Sequence, residues 1–87
     1  GELDDADIGF IDTSHHSAQT LAELRVYRHL VRPGGLLVLH DTMLERPEGA
    51  PSRPRFPVAC AVEEFCADEG LVWRNIPECW GLGIIQL

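Results

Sequence analysis

Two short polar clusters, each preceded by an apolar run, constrain the fold of this sequence most strongly. The first occupies residues 12–16, the second residues 40–42, and the segment between them has the pattern of one amphipathic helix. A strand–helix–strand crossover within one sheet is normally parallel and right-handed. Parallel strands end at the same edge, roughly 4.8 Å apart, where open α/β sheets bind their ligands. The side chains expected to converge at this edge are Asp12, His15, His40 and Asp41.

Composition excludes several classes of partner. The chain has 87 residues and a formal net charge of −7, which argues against nucleic acid or an anionic membrane as a partner. No apolar run approaches the roughly 20 residues that a membrane span needs. Three cysteines without a Cys-x-x-Cys pair indicate a reduced, cytoplasmic protein with structural cysteines and no zinc site.

The hydrophobic pattern divides the chain into six elements of one domain. Apolar residues at helical spacing predict two amphipathic helices, and short apolar runs predict strands, the first of them with both faces covered. Pro33, Gly34 and Gly35 are expected to end the first helix, since Pro cannot continue it. The predicted elements are strands at 7–12, 36–39, 71–76 and 81–87, helices at 17–32 and 57–70, and a mobile surface loop at 43–55.

This order predicts an α/β fold with the sequence β-α-β-α-β-β, in which parallel strands are followed by an antiparallel hairpin. The loop at 43–55 is rich in turn residues and follows the second cluster directly, so it is either a lid over the site or a plain connector.

Asp and His side chains at one sheet edge suit either a divalent cation or acid–base catalysis. Carboxylates favour Mg²⁺, and added imidazole shifts the preference toward Mn²⁺, Fe²⁺ or Zn²⁺. Histidine is also a natural general base, because its unperturbed pKa of about 6.5 lies near neutral pH. An Asp at a strand end equally often caps a helix or fixes a turn. His16 and His29 are expected to have no catalytic role.

A family resemblance rests on three motifs: Ile-Asp-x-Ser-His, Leu-Ala-Glu-Leu-Arg-x-Tyr, and Leu-Val-x-Pro-Gly-Gly-x-Leu-Val-x-x-Asp-Thr. Together they resemble the C-terminal half of class I S-adenosylmethionine-dependent methyltransferases. The resemblance is closest to the cephalosporin hydroxylase-like group and related metal-dependent natural-product O-methyltransferases. It runs without a gap over residues 10–42 and resumes more weakly at 56–65 and 81–85.

The resemblance implies roles for the converging residues. Asp12 and Asp41 match metal ligands, with Mg²⁺ the usual ion, and His40 stands where family members often carry a carboxylate. His15 matches the general base that takes a proton from the hydroxyl of a small-molecule substrate. The Gly-rich turn that binds adenosylmethionine in the first strands of the family is not found, so the chain alone is expected to bind this cofactor poorly.

Two alternatives remain beside a partial O-methyltransferase. One is a non-catalytic module, derived from a methyltransferase, that oligomerises or binds a partner. The other, weaker alternative is a metal-dependent hydrolase, for which only Ser14 and His15 offer a nucleophile and a base. Because the first strand would present an unpaired apolar edge, homo-oligomerisation through that edge is expected.

Overall fold

The computed structural model describes residues 6–12 and 14–87, which form four strands and two helices. Their order is β-α-β-α-β-β, as the sequence predicts. The elements are β1 (Ala6–Ile11), α1 (Ser17–Tyr27), β2 (Val31–His40), α2 (Pro57–Glu69), β3 (Val72–Ile76) and β4 (Leu82–Gln86).

The four strands form one mixed sheet in the order β1-β2-β4-β3. β1 pairs with β2 in parallel, while β4 pairs antiparallel with both β2 and β3. The predicted α/β class, the parallel pair and the antiparallel hairpin are therefore confirmed. Because β1 and β2 are parallel neighbours, their carboxyl ends lie at the same edge of the sheet.

Both helices pack on one face of this sheet and enclose a single core. The fully buried members of that core come from α1, α2 and three strands; they include Ile11, Leu24, Leu37, Leu39, Val62, Phe65 and Ile85. On the opposite face of β1, Ile8 is 47% exposed and Phe10 is 73% exposed. The prediction that both faces of the first strand are covered is therefore wrong, because no described element packs on that second face.

The first helix ends earlier than predicted, at Tyr27 instead of residue 32. A tight turn closes it, in which the amide of Leu30 donates to the carbonyl of Tyr27 at 2.9 Å. Pro33 and the two glycines lie within β2, where they form an irregularity in the strand: β1 advances from Ala6 to Ile8 while β2 advances from Val31 to Leu36.

Glycine is required at the second position of this irregularity. A Cβ atom on Gly35 would lie 2.6 Å from the carbonyl oxygen of Asp7, so only a residue without a side chain lets the two strands approach. A Pro-Gly-Gly run marks a bulge here, although locally it has the pattern of a helix stop.

The second helix follows the predicted pattern. Pro57 opens it, and Gly70 closes it in the left-handed conformation with φ of +67°. The predicted apolar stripe is buried and consists of Val58, Val62, Phe65 and Cys66. Burial raises the pKa of the Cys66 thiol, which suits a packing role. Neither helix of the described chain is long and apolar enough to cross a membrane.

The turn between β3 and β4 is attached to the end of β2. The amide of Asp41 donates to the carbonyl of Gly81 at 2.9 Å, and the amide of Met43 donates to the carbonyl of Trp80 at 2.7 Å. Gly81 has φ of +92° and packs against Thr42, with no room for a Cβ atom between them. The residues that follow β2 are therefore held by the hairpin.

This arrangement predicts that Gly81→Ala destabilises the protein more than Gly70→Ala. Both glycines have positive φ, but a Cβ on Gly81 would lie 2.5 Å from the Met43 nitrogen, whereas Gly70 has open space. We expect a loss of about 1 kcal/mol for Gly70→Ala from backbone strain alone. For Gly81→Ala we expect about 2–4 kcal/mol, because overpacking is added. Urea unfolding measures both, and equal losses would contradict the packing described.

Self-association through the edge of β1 stays a prediction, since the structure contains one copy of the chain. Phe10 on β1 and Val26 on α1 are similarly exposed, at 73% and 59%. If a second copy pairs along β1, Phe10→Glu will convert a dimer into a monomer in sedimentation velocity, while Val26→Glu will leave the dimer intact. A parent chain that sediments as a monomer would rule out this association.

Candidate functional site

The four residues predicted to converge do lie together at the carboxyl edge of β1 and β2. Asp12 follows the last residue of β1, and His40 is the last residue of β2 with Asp41 directly after it. His15 lies in the short connection that leads into α1. The parallel pairing of β1 with β2 brings together side chains that are up to 29 positions apart in the sequence, from Asp12 to Asp41.

Close polar contacts join the four side chains in a row. Nε2 of His15 lies 2.9 Å from Oδ2 of Asp41, and Nδ1 of His40 lies 2.9 Å from the same oxygen. On its other side, Nε2 of His40 lies 3.2 Å from Oδ1 of Asp12. One carboxylate oxygen of Asp41 is thus the common acceptor for two imidazole rings.

The backbone at this edge is held in uncommon conformations. His15 and Asp41 have positive φ, at 67° and 65°, in the left-handed region. Asp tolerates this region, but for a histidine it costs roughly 1–2 kcal/mol. The other non-glycine residues with positive φ among those described are Cys79 and Trp80, in the turn attached to the end of β2. Such strain is characteristic of functional sites.

The ionisation state of Asp41 determines which nitrogens of His15 and His40 carry the proton. Burial raises the pKa of Asp41, but the hydrogen bonds from His15 and His40 and the charges of these rings outweigh burial. The net pKa lies below the ordinary value of 3.8, so Asp41 is ionised at neutral pH. An ionised carboxylate only accepts hydrogen bonds. The nitrogens facing it, Nε2 of His15 and Nδ1 of His40, are therefore the protonated ones.

The histidine–carboxylate pairs at the two ends of this row differ in environment. The side chains of His15 and Asp41 are 35% and 22% exposed, whereas those of His40 and Asp12 are 51% and 88% exposed. An exposed pair contributes little, because water and salt screen it. The partly buried pair of His15 and Asp41 is therefore the stronger and better-defined interaction, and we call it the His15–Asp41 dyad.

This geometry does not fit the Mg²⁺ that the family resemblance implies. A metal site directs several donor atoms at one point. Within the part of the chain that the structure describes, no group of three or more His, Cys, Asp or Glu side chains is placed to hold an ion. The donor atoms of Asp12, His40 and Asp41 instead face one another at hydrogen-bond distance. The predicted metal-ligand role of these three residues is therefore not supported.

Two contacts that the sequence did not predict support the site. Thr42 is fully buried, and its hydroxyl donates to Oδ1 of Asn75 at 2.6 Å, which joins the end of β2 to β3. Arg53, from the loop after Asp41, donates from Nη2 to the backbone carbonyl of His15 at 3.1 Å. No periodicity marks Asn75 in the sequence, and Arg53 stands out only as one of three arginines in that loop.

A family comparison supports the methyltransferase resemblance. The family model described as Methyltransferase domain matches residues 2–42, which is 41 of the 87 residues. The match covers the unit from β1 through β2 that carries Asp12, His15, His40 and Asp41. Because it spans less than half of the chain, the match is reported as a similarity to this family. The cephalosporin hydroxylase-like subgroup is not confirmed.

A solved structure shows the same fold. The chain is similar to a Corynebacterium glutamicum protein determined by the Northeast Structural Genomics Consortium, with a TM-score of 0.68 and 24% sequence identity. The similarity covers 95% of this chain and 39% of that protein, so the chain spans about two fifths of its length. A comparison with curated proteins returned no match.

The dyad predicts a pH-dependent contribution of Asp41 to stability. Asparagine keeps the size and tolerates the left-handed backbone but removes the charge, so Asp41→Asn should cost about 1–2 kcal/mol at pH 7. Because folding lowers the pKa of Asp41, this contribution is present above the ordinary value of 3.8 and disappears as the pH falls below it. Chemical unfolding of parent and variant between pH 7 and pH 3 measures the difference. A difference that is the same at both ends of this range would show that the carboxylate charge contributes nothing.

Proposed function

We propose that the protein carrying this chain transfers a methyl group from S-adenosylmethionine to a hydroxyl group of a small molecule, with His15 as the general base. One observation carries the proposal: Nε2 of His15 lies 2.9 Å from Oδ2 of Asp41 at the ligand-binding edge of a methyltransferase-like sheet. A base held by a carboxylate in this way has a defined tautomer and orientation. The pattern of Asp12, His15 and Asp41 is the only feature that links this proposal to the metal-dependent natural-product subgroup.

The protonation state of the dyad decides which atom of His15 acts. With the proton of the neutral ring on Nε2 and donated to Asp41, Nδ1 carries the lone pair that accepts a proton. The side chain of His15 is 35% exposed, so a ligand at the edge can reach it. Nδ1 of His15 would take the proton of the acceptor hydroxyl as its oxygen gains the methyl group, and a bound donor would supply that group by losing its S–CH3 bond and leaving as a neutral thioether.

Asp41 acts through His15. Its carboxylate fixes the ring orientation before reaction, and it stabilises the imidazolium that forms when Nδ1 gains a proton. This second effect is stronger in the transition state than in the ground state, which is the condition for raising kcat. Asp41 is therefore a positioning and electrostatic residue of the site.

The methyl donor supplies an electrophilic methyl group when it is bound. No Gly-rich turn leads into a helix in this sequence. The assignment therefore concerns the acceptor side of the reaction. A small-molecule hydroxyl as the acceptor and a cytoplasmic location are parts of the proposal that rest on the resemblance.

The proposed mechanism includes no step through a divalent ion, because the Asp41 carboxylate already accepts from two imidazoles. We therefore expect methyl transfer to continue in excess EDTA. Complete loss of methyl transfer in EDTA, with recovery on adding Mg²⁺, would contradict the metal-independent mechanism. It would indicate that Asp12 and Asp41 are metal ligands.

His15→Asn tests the general base. Asparagine tolerates the left-handed backbone at this position but cannot accept the proton, so we expect kcat to fall about 10²- to 10⁴-fold. The assay uses the natural full-length protein with methyl-labelled adenosylmethionine and a panel of phenols and methyl glycosides. His16→Asn is the matched control. His16 is exposed and adjacent in sequence, and its side chain makes no capping hydrogen bond to the first turn of α1.

Two results would contradict the proposal. His15→Asn with the kcat of the parent would remove His15 as the base. Binding of adenosylmethionine without methyl transfer to any acceptor of the panel would favour the alternative of a non-catalytic module.

A further inference from the structure

The loop that follows Asp41 reaches back to the segment that carries His15. Nη2 of Arg53 donates to the backbone carbonyl of His15 at 3.1 Å, across 38 positions of sequence, in a half-buried environment. A hydrogen bond from a charged donor is stronger than one between neutral groups. This contact therefore joins the loop to the backbone of the proposed base.

The carbonyl of His15 lies just outside helix α1. Its φ of 67° is uncommon for a histidine, and the first backbone hydrogen bond of α1 runs from the amide of Thr20 to the carbonyl of His16 at 2.9 Å. The carbonyl of His15 thus lies one residue before the helix ladder. Arg53 reaches this carbonyl from the loop at 43–55.

Arg53 is itself held by the loop. Its carbonyl accepts from Nη1 of Arg46 at 3.0 Å, and its amide donates to the carbonyl of Ala50 at 3.1 Å. The amide of Arg46 donates to the carbonyl of Arg55 at 2.7 Å, which closes the base of the loop. The guanidinium of Arg53 therefore extends from a hydrogen-bonded frame.

We propose that Arg53 is a positioning residue that holds the His15 segment so that its ring meets Asp41 in one orientation. The expected effect on kcat rests on the proposed function, whereas the contact between Arg53 and His15 does not. The loop at 43–55 then contributes to the site through a backbone contact, and a lid role of this loop is not required.

Arg55 provides a matched control within the same loop. Its Nε lies 2.7 Å from Oε1 of Glu45, and its guanidinium lies 5.0 Å from the ring centroid of Phe56. Both contacts remain inside the loop and the start of α2. Removing this arginine changes the charge of the loop by the same amount without touching the segment of His15.

The structural test is the NMR signature of the His15 ring in the chain itself at neutral pH. We expect the parent and Arg55→Met to show one tautomer, with the proton on Nε2, and Arg53→Met to show a mixture of both tautomers. Arg53→Lys, which keeps a charged donor, should restore the single tautomer at least in part. An unchanged signature in Arg53→Met would overturn the proposal. If that variant does not fold, Arg53→Leu, which also has no donor, takes its place with the same expectations.

The kinetic test uses methyl transfer by the natural full-length protein. A displacement of the base by about 1 Å is enough to lower kcat about 10²-fold, so we expect a loss of this order for Arg53→Met. The KM for adenosylmethionine should remain within twofold. Equal kcat for Arg53→Met and Arg55→Met would overturn the positioning role. Failure of the proposed function would be seen separately, as an active His15→Asn variant, while the tautomer experiment would still decide whether Arg53 orients the ring.

Discussion

One carboxylate oxygen, Oδ2 of Asp41, accepts hydrogen bonds from two imidazole rings, and the arrangement of the candidate site depends on it. His15 approaches from the connection before α1 and His40 from the end of β2, each at 2.9 Å. The shared acceptor is possible because Asp41 adopts a left-handed conformation, in which its amide donates to the carbonyl of Gly81. The β3–β4 turn thus contributes to the chemistry through the backbone alone.

The same oxygen organises His15 and His40 around one hydrogen-bond acceptor. Two protonated nitrogens lower the pKa of Asp41 against the effect of burial, which keeps the carboxylate charged and therefore an acceptor. A ring nitrogen that donates its proton to a carboxylate has no lone pair with which to bind a cation.

The convergence of the site could be predicted from the sequence because it follows from topology. Two apolar runs joined by a helix become parallel neighbours, and parallel neighbours bring the residues after them to one edge. The pairing within the site was not predictable, because the positive φ of His15 and Asp41 decides which atoms meet. The contact of Arg53 with His15 joins residues 38 positions apart through a loop without periodicity. The early end of α1 was missed because Pro-Gly-Gly is compatible with both a helix stop and a bulge in a strand.

The claim that Asp41 acts through His15 is tested most directly by a double-mutant cycle on methyl transfer by the natural full-length protein. The cycle compares kcat for the parent, His15→Asn, Asp41→Asn and the double variant. Residues that act as a unit have effects that do not add. The account predicts that the double variant is no slower than His15→Asn alone. A double variant whose loss equals the product of the two single losses would show that the two residues act independently, and this would contradict the dyad.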